Sequence, residues 1–220
     1  MKYLFFILLI PHFVFAQKDS LFYKMSAQKY MSLPQVNQAI DVRNPDYALL
    51  DAALFQATNE QRTAFNLPIF LYSSIIHQAA TGHSVAMINQ DFYNHDNPFD
   101  ATNKSLPDRI FSKTKVYRQL AENIAQHDIL TAVGNMYCFT PPKSEGDFYY
   151  FDCKTKKALP MMTYAEFARS VVNGWMNSPH HRANILDSKL KFMACSGRIS
   201  KNPYKSQRSP FARLTQDFGG

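Results

Sequence analysis

The segment 171–186, VVNGWMNSPHHRANIL, constrains the fold more than any other part of the chain. It runs from an apolar helical turn through the single tryptophan, Trp175, into a Ser-Pro break, and two histidines, an arginine and an asparagine follow at once. Upstream, Thr163 and Glu166 have capping-box spacing, in which the Thr163 hydroxyl accepts from the Glu166 amide and the Glu166 carboxylate reaches back. Phe167, Val171, Gly174 and Trp175 then recur at helical spacing, which buries one face. Pro179 disfavours helical geometry at Ser178. The helix is expected to stop there, and the chain to turn and present His180, His181 and Arg182. A Trp-anchored helix end that delivers imidazole and guanidinium to one place is a way to build a site.

The remaining elements follow from periodicity and punctuation. Residues 17–43 are polar with little periodicity and are read as an extension or a poorly packed arm, ahead of one domain over 44–220. A first helix is expected from Asn44 as cap and Pro45 at its first position. Leu49, Leu50, Ala53, Leu54 and Ala57 form its apolar face, and Leu67-Pro68 ends that stretch. A second helix is expected over 74–90 with Ser73 or Ser74 as cap, closing in a turn over 91–98. A short helix is expected at 107–110. Residues 120–125 alternate as a strand does, with a small helix after them and a loop between Cys138 and Cys153. Residues 190–199 and 211–218 read as strands joined by a turn at 201–210. That connection is too short for a helical crossover, so the late strands should pair antiparallel. The fold class is α+β, helices packed on an antiparallel sheet.

A formal charge of +7 with scattered lysines describes a basic surface and points to anionic partners such as cell-wall polymer or lipid headgroups. No basic stripe interleaved with stacking aromatics is present, which argues against nucleic acid. Residues 1–16 read as an export signal: Lys2, an apolar run over 3–14, and Val14-Phe15-Ala16 before a polar start at Gln17. The run is too short to span a bilayer comfortably, and no later stretch approaches that length. The expected mature protein is secreted or periplasmic, and a monomer. Export permits disulfides among the three cysteines. Cys138 and Cys153 could staple their loop, Cys195 reads as a buried thiol in a strand, and other pairings stay open.

The chemistry-bearing residues are spread along the chain. His95 lies in a turn with Asp96 and Asn97, which taken alone is an ordinary polar surface turn. Glu122 sits between Ala121 and Asn123 in an otherwise core-like run, and a buried carboxylate requires a partner; imidazolium or Arg182 would serve. His180 and His181 are adjacent, so only one of them enters a shared site. The set His95, Glu122 and His181 could bind a divalent transition ion, with zinc the candidate cofactor and His95 and His181 its ligands. It could equally be a structural ion-pair network lining a cleft. No HExxH, GxSxG or P-loop is present.

Taken in order, NEQR (59–62), the helix ending in His95, AENIA (121–125), WMNSPHHRANIL (175–186) and LTQDFG (214–219) resemble the CAP superfamily. That superfamily joins cysteine-rich secretory proteins, venom antigens and plant pathogenesis-related proteins, and it includes single-domain bacterial members. The resemblance spans 45–219 and implies a three-layer α-β-α sandwich with a central antiparallel sheet and an open cleft. In eukaryotic members two histidines and two glutamates line that cleft. By motif position His95 matches the first histidine and Glu122 the first glutamate, while Ser178 and Arg213 stand at the other two positions. The bacterial pattern offers His181 instead. The resemblance thus implies His95, Glu122 and His181 as catalytic candidates and Asn123, Ser178, Arg182 and Arg213 as ligand-binding ones. The expected function is a cleft that binds a lipid, glycan, peptide or cell-wall component, with a metal- or acid/base-assisted hydrolase as the alternative.

Overall fold

The computed structural model describes residues 21–131, 137–140, 149–200 and 209–220. The expected export signal at 1–16, and residues 201–208 of the expected turn, lie outside the described residues.

Residues 21–43 are not a poorly packed arm. Helix α1 (Ala27–Met31) is capped by the Ser26 hydroxyl and followed by a 3-10 turn, Pro34–Asn37. Tyr30 and Val36 are fully buried. The Tyr30 hydroxyl donates to the Leu49 carbonyl at 2.8 Å, and Gln56 donates to the Phe22 carbonyl at 2.7 Å. Sparse apolar residues without periodicity gave no sign of this, because the segment is held by a few long side chains rather than by an amphipathic face.

Helix α2 (Tyr47–Ala64) starts later than expected, capped by Asp46, whose carboxylate accepts from the Leu49 amide at 3.0 Å. Nearly every side chain from Leu49 to Asn59 is buried, since α2 packs against α1, α5 and the sheet at once. Strand β1 (Leu71–Tyr72) leads into α3 (Ser74–Asn89), capped by Ser73. Helix α4 (Leu106–Phe111) carries its own Ser105–Asp108 capping box. Strand β2 (Leu120–Asp128) runs further than expected, through the place of the small helix expected after residue 125. A hairpin of β3 (Cys138–Thr140) and β4 (Tyr149–Phe151) contains the Cys138–Cys153 disulfide, with Cα atoms 5.1 Å apart. Then come α5 (Tyr164–Asn177), α6 (Pro179–Leu186), β5 (Phe192–Ile199) and β6 (Phe211–Gly219).

The main sheet has the order β1-β5-β6-β2, antiparallel except for the short β1, which lies parallel to β5. The sheet is therefore mixed, with its long strands paired antiparallel as expected. Helix α3 covers one face, and α2, α5 and α6 cover the other, so the architecture is an α-β-α sandwich. Gly197 allows α2 to approach β5, because a Cβ there would meet Leu50 at 3.1 Å and Leu214 at 3.3 Å. Among the described residues no helix is long and apolar enough to cross a membrane.

The capping box at Thr163 and Glu166 forms in both directions, at 3.2 and 2.9 Å. Trp175 is 2% exposed and its indole N–H donates to the Ile124 carbonyl at 3.1 Å. The chain does not turn freely after Ser178. Pro179 takes the first position of α6, where its missing N–H costs nothing, so His180, His181 and Arg182 lie on a helix.

Candidate functional site

Strand alternation sets the geometry of the site. Glu122, Ile124 and Gln126 point toward α3, and Asn123, Ala125 and His127 point away from it. In the β2–β6 register Glu122 lies opposite Asp217 and Asn123 opposite Gln216. Two carboxyl groups therefore face each other beneath the loop after α3, and a pair of amides faces each other on the side of α6.

On the α3 side, His95 Nδ1 lies 2.8 Å from Glu122 Oε1, and Arg109 from α4 donates to Oε2. The Glu122 side chain is 5% exposed and the His95 ring 54%, so the carboxylate is buried while one edge of the imidazole faces solvent. Arg109 also donates to the carbonyls of His95 at 3.2 Å and Lys104 at 2.9 Å, which fixes the loop carrying His95. The partner that a buried carboxylate requires is thus Arg109 together with His95. Arg182, the expected alternative, sits over the Phe65 ring at 5.0 Å, outside this group.

Burial pushes Glu122 up, but the hydrogen bond from His95 and the charge of Arg109 outweigh it and hold the carboxyl below its ordinary value. Asp217 goes the other way: complete burial, then the neighbouring Glu122 charge, raise it well above the carboxylate range. Asp217 makes no hydrogen bond of ordinary geometry, yet the two carboxyls are close enough for each to alter the other's protonation. Of the two carboxyls, Asp217 therefore keeps its proton to higher pH than Glu122. His95 is raised, chiefly by its hydrogen bond to Glu122. His181 is lowered by burial and by the charge of His95. The two rings feel each other electrostatically across the edge of β2.

On the far side of β2, Asn123 is fully buried and its amide is committed to protein groups. It donates to the His181 carbonyl at 3.2 Å and to Gln216 at 2.8 Å, and accepts from Asn184 at 2.9 Å. Arg62 clamps the other end of α6 through the carbonyls of Ile185 and Asp187, at 2.9 and 3.0 Å. Asn123 thus positions the helix bearing His181. Ser178 is the half-buried junction of α5 and α6. Arg213 bridges Gln126, the Met87 carbonyl and Asp91, tying the end of α3 to the sheet.

Whether this set suits a divalent cation depends on free lone pairs. Both Glu122 oxygens already accept, one from a ring nitrogen and one from a guanidinium, and the guanidinium would repel a metal. Among the described residues no group of three His, Cys, Asp or Glu side chains is arranged to hold one. Uptake of a cation at Glu122 would require it to leave His95 or Arg109.

Three contributors escaped sequence reasoning: Arg109, His83 and Asp217. A buried carboxylate at 122 demanded a cation, but Arg118 lies nearer in sequence than Arg109, 13 residues upstream on the short helix, so spacing did not single out the partner. His83 on α3 and Asp217 on β6 carried no comparable signal.

The family described as CAP, the cysteine-rich secretory protein family, matches residues 55–207. Among solved structures, the chain is similar to an extracellular protein containing an SCP domain from Bacillus anthracis, with 19% identity, a TM-score of 0.49, and 77% of this chain and 40% of that one covered. It is similar to an outer surface protein from Borrelia burgdorferi at 14% identity and a TM-score of 0.46, over 76% of this chain and 88% of that one. A cysteine-rich secretory protein from Staphylococcus aureus matches at 15% identity and a TM-score of 0.42, over 78% of this chain and 39% of that one. The chain thus spans about two fifths of the Bacillus and Staphylococcus proteins. No curated protein matches it. With the family pattern covering most of the chain and the sandwich laid out around it, this protein belongs to the cysteine-rich secretory protein (CAP) family.

Proposed function

We propose that this is an exported protein, secreted or periplasmic, that holds a small lipid, glycan or peptide ligand at the His95–Glu122–His181 site without turning it over. The observation that carries this reading is the state of Glu122, whose two oxygens both accept from protein groups. A general base needs a lone pair directed at the proton it removes. His95 offers the opposite: an exposed ring edge whose proton affinity is raised. When protonated, its Nε2–H is a charge-assisted donor. Carbonyl, carboxylate and phosphate oxygens, found on peptides, acidic glycans and lipid headgroups, suit such a donor. Native mass spectrometry of the purified protein against lipid, glycan and peptide panels tests this. A retained ligand that His95→Ala releases is expected; silence across all three panels, or retention unchanged in His95→Ala, refutes it.

A second reading, acid/base-assisted hydrolysis, is supported by the opposite displacement of His95 and His181. Neighbouring groups pushed apart in this way can act as acid and base. In that case His181 accepts the proton and His95 donates it, with Glu122 orienting His95. Turnover of a peptide, ester or cell-wall substrate that is lost in both His95→Ala and His181→Ala would favour it over binding alone.

A further inference from the structure

A cavity of about 230 Å³ opens between α3, α4 and the loop before α4. That is below the size of pockets for drug-sized ligands, which begin near ~300 Å³, and leaves room for one small ring. His83 and Arg109 are among its lining residues, and they are 1% and 4% exposed. Each keeps one polar atom without a hydrogen-bond partner, His83 Nδ1 and Arg109 Nε.

The roles of those two atoms are fixed by their neighbours. His83 Nε2 lies 2.9 Å from the Asn94 carbonyl, which can only accept, so Nε2 carries the hydrogen. Burial and the adjacent Arg109 charge keep the ring neutral. Nδ1 is then an acceptor. Arg109 Nε–H is a donor by its chemistry. An unmatched acceptor and an unmatched donor therefore belong to two buried residues that line one cavity.

Charge around the cavity balances. Arg109 is offset by Glu122, and Lys113 has Asp100 in the same lining. Gln78 and Asn103 add amides, which both donate and accept. An anion would meet the His83 lone pair and the Asp100 carboxylate, and a cation would meet Arg109 and Lys113. Hydroxyl groups match both roles at once.

We infer that this cavity is a second binding site, sharing only Arg109 with the His95–Glu122 group, for a small neutral hydroxyl-rich molecule: a single sugar ring or a polyol. The inference does not depend on the reading of the cleft. Gly82 supplies a direct test, because it lines the cavity and a Cβ built there meets nothing within 4 Å. Gly82→Leu fills the space, improves helix propensity and leaves His95 and Glu122 untouched.

The experiment is an NMR titration of the isotopically labelled protein with glucose, N-acetylglucosamine and glycerol, and with inorganic phosphate and acetate. Saturable shifts of α3 and α4 amides with a sugar or with glycerol are expected, weakened at least tenfold in Gly82→Leu. The sugar and glycerol arms separate the two sources of hydroxyls. Shifts produced by phosphate or acetate in preference, sugar binding that survives Gly82→Leu, or no saturable response to any neutral probe would overturn the inference. If Gly82→Leu does not fold, the wild-type shift map decides: changes centred away from residues 78–86 and 97–113 count against it.

Discussion

Replacing Asp217 by asparagine tests the proton assigned to the buried carboxyl pair. Asp217 is fully buried on β6 opposite Glu122, and burial together with the Glu122 charge raises it well above the carboxylate range. In the unfolded chain the same group ionises near its ordinary value of about 3.9. Above that pH the native state holds one more proton than the unfolded state. The folded form is raised, so stability linked to this proton is fully present below about pH 3.9 and is lost as pH rises toward the folded value. The loss accrues at about 1.4 kcal/mol per pH unit until the folded value is reached. Asp217→Asn removes this linkage. Any offset from the fit of the amide is constant and does not depend on pH. Urea unfolding of both proteins at half-unit intervals from pH 4 to pH 8 isolates the slope. The expected result is a stability difference in favour of the variant that grows by about 1.4 kcal/mol per pH unit until the folded value is passed. Parallel profiles would show that Asp217 is ionised in the native protein and that the assignment is wrong.

Four further outcomes follow. Glu122→Gln leaves the Arg109 guanidinium buried without its charge partner and should cost about 3 kcal/mol or more in urea unfolding. His95→Ala removes a half-exposed partner and should cost under about 1 kcal/mol in the same assay; equal losses would show that the ring, not the guanidinium, holds the carboxylate. Binding of any anionic ligand at His95 should weaken as pH rises through the raised value of its imidazole, because the charged donor is present below that value and lost above it; a flat affinity profile by titration calorimetry would exclude the ring. Trp175→Ala should cost about 3–5 kcal/mol, since it empties a fully packed site and frees the Ile124 carbonyl.

Local chemistry was readable wherever neighbours in sequence are also neighbours in space. The Thr163–Glu166 capping box, the Ser73 cap and the apolar face of α2 involve residues a few positions apart, and each formed. The ends of elements were less legible. Asn44 and Pro45 were plausible starters, but Asp46 caps α2 because the Tyr164 hydroxyl accepts from its amide at 2.8 Å, a contact 118 residues away. The buried Asp51 network is of the same kind. Its carboxylate accepts from the Gly197 amide at 2.9 Å and pairs with Arg198 and His77. Nothing about an aspartate on an apolar helix face names those partners.

The candidate site divides along the same line. The sequence alone determined that Glu122 needs a cation and that a tryptophan anchors the helix leading to the adjacent histidines 180 and 181. Each statement depends on residue type and local period, which the chain carries in itself. Tertiary structure alone decided that the cation is Arg109, that Asp217 brings a second carboxyl opposite Glu122, and that Asn123 faces away to hold α6. Strand register and the placement of α4 fix those facts, and both arise from packing between segments tens of residues apart.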